Sequence, residues 1–286
     1  MSRTEQPASG MTPKTLRTFF ILTFALGWGT GILMVVFSSQ IEAAFGPIGY
    51  TNPVFILVVY SPAIAGVWLV WRHYGTKGLG SFFRRLTLWR MPAPWWWFLI
   101  LGIPAGKYIG AALNGTIDDF PYSPWYGVLP WFAAALLIGP VEELGWRGVA
   151  LPLLQRRWAP LWASLILGAI WGLWHLPAFL LSGTEQSGWS FPPFIIGVMA
   201  LSVLVTPMFN AAKGSILIPA LFHFQMNGPA WPDAQPWENY VFAIAAVVVV
   251  LLNRKAMLTR EGAVTSVLMP GEEGSTPEEA RSTTTS

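Results

Sequence analysis

The chain has 286 residues, of which 53% are hydrophobic and 11% charged, with a mean hydropathy of +0.49 and a formal net charge of +3. Soluble domains carry about a quarter charged residues, so this composition excludes a water-soluble globular protein and points to an all-α, polytopic membrane protein. The absence of cysteine excludes disulfides, thiolate metal ligands and a cysteine nucleophile, and the bases show no nucleic-acid pattern.

A bilayer core of about 30 Å needs roughly 20 apolar residues per helix. Eight segments qualify, some short or interrupted, at approximately 18–38, 53–71, 94–113, 128–154, 160–181, 193–209, 215–228 and 239–252. The first follows a basic, signal-like start, but it exceeds a typical signal core and lacks a small-residue cleavage site, so it is expected as an uncleaved helix. Between the second and third, Gly80 to Arg90 mixes bases with aromatic and aliphatic residues; it reads either as an amphipathic helix on an anionic inner leaflet or as an ordinary basic loop. Tryptophan clusters at 95–97 and 231–237 suit interfacial anchors. With the N-terminus inside, 15 of the 17 Lys and Arg fall on the inner side. The exceptions, Lys107 and Arg147, lie within spans, and the outer loops carry only acids. The rule that inner loops are positive then predicts both termini in the cytoplasm. The expected organisation is a cytoplasmic segment 1–17, a membrane domain 18–252, and a cytoplasmic tail 253–286, disordered from about residue 262 for want of apolar periodicity. The setting expected is the plasma membrane of a prokaryote.

Three polar signatures interrupt the apolar spans: Glu142-Glu143-Leu-Gly-Trp-Arg147, Trp171-Gly-Leu-Trp-His175 and His223-Phe-Gln-Met-Asn227. Ionisable groups in hydrocarbon cost from about 2.5 to over 10 kcal/mol each, so their concentration marks a candidate site. Glu143 and Arg147 share a helical face four residues apart, while Glu142 points about 100 degrees away. That spacing predicts one neutralised acid and one free acid, Glu142, available as a general base toward water. Pro140 is expected to free the carbonyl of Leu136 and kink the helix, admitting water. His175 follows Trp171 by four residues, so the indole can orient the imidazole, which then positions the water with Glu142. His223 and Asn227, again four apart, can donate to a developing oxyanion. Counted at 1.5 Å per residue from the inner flanks, Glu142 and His175 lie about 21 and 22 Å deep but His223 only about 12 Å. The mismatch requires kinks, tilt or a short seventh helix. Each residue alone has a structural explanation, as an ion pair or an interhelical hydrogen bond; the joint occurrence favours a site.

These motifs resemble those of the CAAX protease and bacteriocin-processing family, whose members carry Glu-Glu-x-x-x-Arg, aromatic-x-x-x-His and His-x-x-x-Asn or Asp in that order. The resemblance covers roughly residues 128–230 and includes EELGWRGVALPLLQRR, WGLWHLP and GSILIPALFHFQMN. It implies an all-helical intramembrane endopeptidase. By similarity Glu142 and His175 would activate water, His223 and Asn227 would hold the oxyanion, and Glu143 and Arg147 would support the site or assist the substrate carboxylate or leaving group. Substrates of the family range from prenylated CAAX ends to bacteriocin precursors and signalling proteins, so the implied partner is a peptide or protein in or at the bilayer. Members are often called metalloproteases, and Glu142, His175 and His223 offer a His2Glu donor set for zinc. No HExxH motif is present, and metal-independent chemistry, with no required cofactor, is the expectation. An aspartyl dyad is excluded because Asp118, Asp119 and Asp233 all fall in loops. Two other functions fit the same residues: a non-catalytic immunity or scaffold protein, and a proton-coupled transporter using the Glu and His cluster as a relay.

Overall fold

A computed structural model describes residues 10–119 and 121–273. Among these described residues six helices are long and apolar enough to cross a membrane: α1 (Pro13–Val36), α2 (Pro53–Thr87), α3 (Ala93–Asn114), α4 (Trp125–Gln155), α5 (Pro160–Leu180) and α6 (Phe191–Ala211). Two shorter apolar helices follow, α7 (Leu217–Met226) and α8 (Trp237–Leu252). The chain is a multi-span, all-α membrane protein. Apolar side chains such as Ile21, Ile244 and Leu252 stand on the outside of the bundle, where lipid tails rather than water are their solvent.

Helix starts follow local chemistry. Asn52 caps α2, its Oδ1 accepting from the amides of Val54 (3.0 Å) and Phe55 (3.4 Å), and Pro53, Pro160 and Pro192 occupy first-turn positions where a missing N–H costs nothing. The 80–90 segment resolves into two parts. Helix α2 continues through residue 84, after a break at Gly75 (φ 65°, ψ −163°), and ends in a tight turn at Arg85–Thr87. Helix α6 is the hub, packing against α5 and α8, while α1 lies along α2 and α8 along α3. The second half of α4 crosses α2 at very short range, because a Cβ on Gly145 would lie 2.3 Å from the Pro62 carbonyl oxygen. Only glycine fits there.

Helix α4 is not continuous. Its first half runs Leu129–Leu137, then Ile138 turns extended and Gly139 takes φ 95°, before Pro140–Glu142 restarts the helix as a tight turn. A turn of wider, π-type helix follows at Trp146–Ala150. The carbonyl that gains a side-chain donor at the break is that of Leu137, which accepts from the Tyr60 hydroxyl at 3.0 Å. The kink expected at Pro140 is therefore present, with the helix ending one residue later than a Leu136 release implies.

Residues 262–273 do not follow the expectation of disorder. They form a strap across the basic end of the bundle, with Val267 fully buried and Leu268 nearly so. Side chains from the core hold its backbone: Gln155 donates to the Val264 carbonyl (2.8 Å), Arg156 to that of Thr265 (2.9 Å) and Arg85 to that of Val267 (2.7 Å). Glu273 closes the strap, taking hydrogen bonds from Tyr74 (2.5 Å) and Arg156 (2.6 Å). Composition alone misses this order because the stabilising groups lie elsewhere in the chain. The expected disorder of 274–286 and the first nine residues of the N-terminal segment lie outside the described residues.

Arg85 explains how the irregular α4 is tolerated. Pro152 has no N–H to return to the Gly148 carbonyl four residues before it, and the Leu151 amide bonds Trp146 instead of Arg147. The fully buried Arg85 guanidinium supplies donors there, 2.7 Å from the Gly148 oxygen and 3.5 Å from that of Arg147, and reaches the Gly214 oxygen at 2.8 Å. It thereby ties α4 to the turn before α7. Lysine cannot reproduce this fork, so Arg85→Lys is expected to cost about 3 kcal/mol. Thermal unfolding of the purified protein in detergent, compared with wild type, measures it.

Candidate active site

The break in α4 places two adjacent acids in different surroundings. Glu142 and Glu143 are both buried. Glu142 Oε2 accepts from two indoles, Trp146 Nε1 at 3.1 Å and Trp171 Nε1 at 3.0 Å. The sequence-based expectation of a free acid is thus corrected: Glu142 bears no ion pair, but one of its oxygens is held by two neutral donors. Oε1 accepts no hydrogen bond from the described residues. Glu143 carries the charge pairing, with Arg147 Nη1 2.9 and 3.1 Å from its two oxygens, as the four-residue spacing predicts.

Glu143 also reaches across the bundle. His223 Nδ1 lies 2.8 Å from Glu143 Oε1, so α7 is attached to α4 by a buried imidazole–carboxylate contact. A carboxylate only accepts, so the Nδ1 proton is on His223 and its Nε2 faces away from the acid. The same logic applies to His175, whose Nδ1 is 2.8 Å from the Trp171 carbonyl oxygen. A carbonyl cannot donate. In the neutral ring the Nε2 of His175 is therefore the free acceptor.

Trp171 connects the whole arrangement. Its N–H is on Glu142 and its carbonyl on His175. Its ring lies 5.7 Å from the His175 ring and 5.4 Å from the His223 ring, with the Arg147 guanidinium 4.6 Å from its centroid. The expected support of His175 by Trp171 is present, with the backbone carbonyl as well as the indole involved.

Gly139 completes the geometry. A Cβ there would meet Asn227 Nδ2 at 2.4 Å and His223 Nε2 at 3.1 Å, so the His223 nitrogen and the Asn227 amide stand side by side against the bare backbone at the α4 break. The short α7, only Leu217–Met226, resolves the depth mismatch, bringing His223 to the level of Glu143. All six expected residues, Glu142, Glu143, Arg147, His175, His223 and Asn227, line one cavity of about 920 Å³. The cavity extends to the loops around Tyr50, Tyr122 and Trp231.

Among the described residues no group of three or more His, Cys, Asp or Glu side chains is placed to hold a metal ion. Glu142, His175 and His223 share the cavity without converging as a ligand set. Sequence reasoning overlooked three contributors: Trp146, Tyr60 and Gly139. Trp146 was accessible to it, since it follows Glu142 at the same four-residue spacing that paired Glu143 with Arg147.

The fold and site define a polytopic helical membrane protein with a carboxylate, imidazole and amide constellation sunk among its spans. Residues 124–228, which contain all six residues, match the family described as type II CAAX prenyl endopeptidase Rce1-like. The chain is 28% identical over 187 residues to CAAX prenyl protease 2 of Methanococcus maripaludis, covering 60% of this chain and 66% of that protein. A shorter stretch is 32% identical over 97 residues to reticulon-like protein B10 of Arabidopsis thaliana, covering 34% of this chain and 41% of that one. The chain thus spans just under two thirds of the first relative and less than half of the second. Through the segment that carries its site, the chain is similar to the Rce1-like CAAX proteases.

Gly139→Ala tests the geometry without reference to activity. The added methyl has to displace Asn227 and the α7 end while holding φ near 95°, and overpacking of this kind costs about 1–3 kcal/mol. A lowered melting temperature in detergent is the expected result.

Proposed function

We propose that the protein is an intramembrane endopeptidase of the CAAX-protease type that hydrolyses a peptide bond with water activated by Glu142 and His175. The observation that carries this reading is the placement of Asn227 Nδ2 and His223 Nε2 together against Gly139, three residues before the indole-held carboxylate of Glu142. Water donates one hydrogen bond to Glu142 and one to His175 Nε2. As the water oxygen attacks the carbonyl carbon, its proton passes to Glu142, and the oxyanion receives hydrogen bonds from Asn227 and His223. For His223 to donate through Nε2 while Nδ1 donates to Glu143, it must be the imidazolium, and Glu143 is its counter-ion. Collapse breaks the C–N bond, and Glu142 returns the proton to the leaving amine. Arg147 keeps Nε and Nη2 buried and without a hydrogen-bond partner among the described residues, leaving donors for a substrate carboxylate or the leaving group.

The reading takes the mechanism as metal-independent and the substrate as a membrane-associated peptide, a bacteriocin precursor or a signalling protein. It also takes α1 to α8 as eight spans with both termini cytoplasmic, in the plasma membrane of a prokaryote. The six long and two shorter apolar helices support that count, and the distribution of Lys and Arg supports the orientation. A scaffold or proton relay has no need of paired oxyanion donors beside a backbone break.

Quantitative profiling of peptide termini in membranes, at matched protein levels, is the test. Glu142→Gln is expected to remove cleavage products that wild type generates; identical profiles would favour the scaffold. Trp171→Phe keeps the ring but removes an N–H worth about 1.5–3 kcal/mol on a charged acceptor, so the same products should form roughly 10- to 100-fold more slowly. Dialysis against a zinc chelator should leave their rate unchanged, and restoration of lost activity by zinc would overturn the metal-independent step.

A further inference from the structure

The two ends of the bundle differ in chemistry, and the cavity belongs to one of them. Apart from Lys107 and Arg147, every Lys and Arg among the described residues lies within segments 14–17, 72–90, 156–157, 213 and 254–260. The structure gathers these segments at one end. Arg156 reaches Met11, Thr265 and Glu273, and Arg260 reaches the Arg156 carbonyl. Arg85 joins the Gly214 turn to the 262–273 strap.

The opposite end is built from other loops, which also meet each other. Asn114 and Thr116 both donate to the Asp233 carbonyl, and Gly49 packs beside Gly183. These loops bound the cavity, through Tyr50, Tyr122, Glu185, Trp231 and Glu238. Their charged side chains near the cavity are acids, apart from Lys107, whose ammonium is 2.6 Å from Glu238. At the basic end the π-type turn of α4 and Arg85 are fully buried, and Arg85 is hydrogen-bonded to both that turn and the strap.

Basic ends of membrane proteins face the cytoplasm. We propose that the catalytic cavity opens on the face of the membrane away from the cytoplasm, so that its substrates are exported or outward-facing membrane peptides rather than cytoplasmic chain ends. The inference rests on the peptidase reading and on the orientation given above. It narrows the substrate class to chains whose scissile bond has already crossed, or sits within the outer part of, the bilayer.

The chain contains no cysteine, so single-cysteine variants report without background. Ser182→Cys lies in an exposed loop at the cavity end and Lys77→Cys on the exposed surface near the basic end. A membrane-impermeant maleimide applied to intact cells is expected to label Ser182→Cys and to label Lys77→Cys only after permeabilisation. Both sites protected until permeabilisation would overturn the inference while leaving the termini inside. The reverse pattern would overturn the orientation as well. The companion comparison is of released peptides from cells expressing wild type or Glu142→Gln. Products lost with the variant are expected on the outer side; products confined to the cytoplasm would overturn the substrate class, and no lost product would refute the peptidase reading whatever the labelling shows.

Discussion

A carboxylate buried among apolar helices is tolerable only if something donates to it, and here the donors are two tryptophan N–H groups on a single oxygen of Glu142. An ion pair would have fixed the charge and occupied the lone pairs. Two indoles hold the group in place with neutral dipoles and leave its second oxygen without a partner among the described residues. The penalty for an unsatisfied buried polar group is met in part, and the capacity to accept a proton is retained. The ion pairing falls to the neighbouring acid, where Arg147 and His223 share Glu143. Two consecutive glutamates therefore stand in different surroundings, one held by neutral donors and the other by an ion pair.

That difference depends on an irregular helix. A regular helix could not accommodate the φ of 95° found at residue 139. The left-handed Gly139 exposes bare backbone to His223 and Asn227, and the π-type turn at Trp146–Ala150 shifts the register of the following residues. Each irregularity frees a carbonyl, and each is answered by a side chain from α2: Tyr60 at the break and Arg85 at the π-type turn. In hydrocarbon, non-helical backbone persists only when protein groups take over its hydrogen bonds. Helix α2 is the element that makes the site's geometry affordable.

The parts of the site that lie within one helix were legible in the sequence. Glu143 with Arg147 and Trp171 with His175 are pairs at i and i+4, and the structure joins each by the contact that spacing allows. The contacts between helices were not legible, because nothing local links Glu143 to His223, 80 residues apart, or Trp171 to Glu142, 29 apart. Counting residues from the inner flanks placed His223 about 10 Å too shallow, since it assumed straight spans and α7 is a short helix entered by a turn. The strap at 262–273 was misread for the same reason: its own residues carry no periodic pattern, and its order comes from Gln155, Arg156 and Arg85. Trp146 differs, because its spacing from Glu142 was visible and only its apolar character hid it.

The central claim is that water bound between Glu142 and His175 attacks the substrate directly, with no side chain acylated on the way. Partitioning with hydroxylamine tests this on a cleaved membrane peptide in water enriched in oxygen-18. Direct attack predicts a new carboxyl terminus carrying one heavy oxygen, in a yield that added hydroxylamine leaves unchanged apart from inhibition. A peptide hydroxamate that grows with hydroxylamine concentration would reveal an acyl-enzyme and contradict the account.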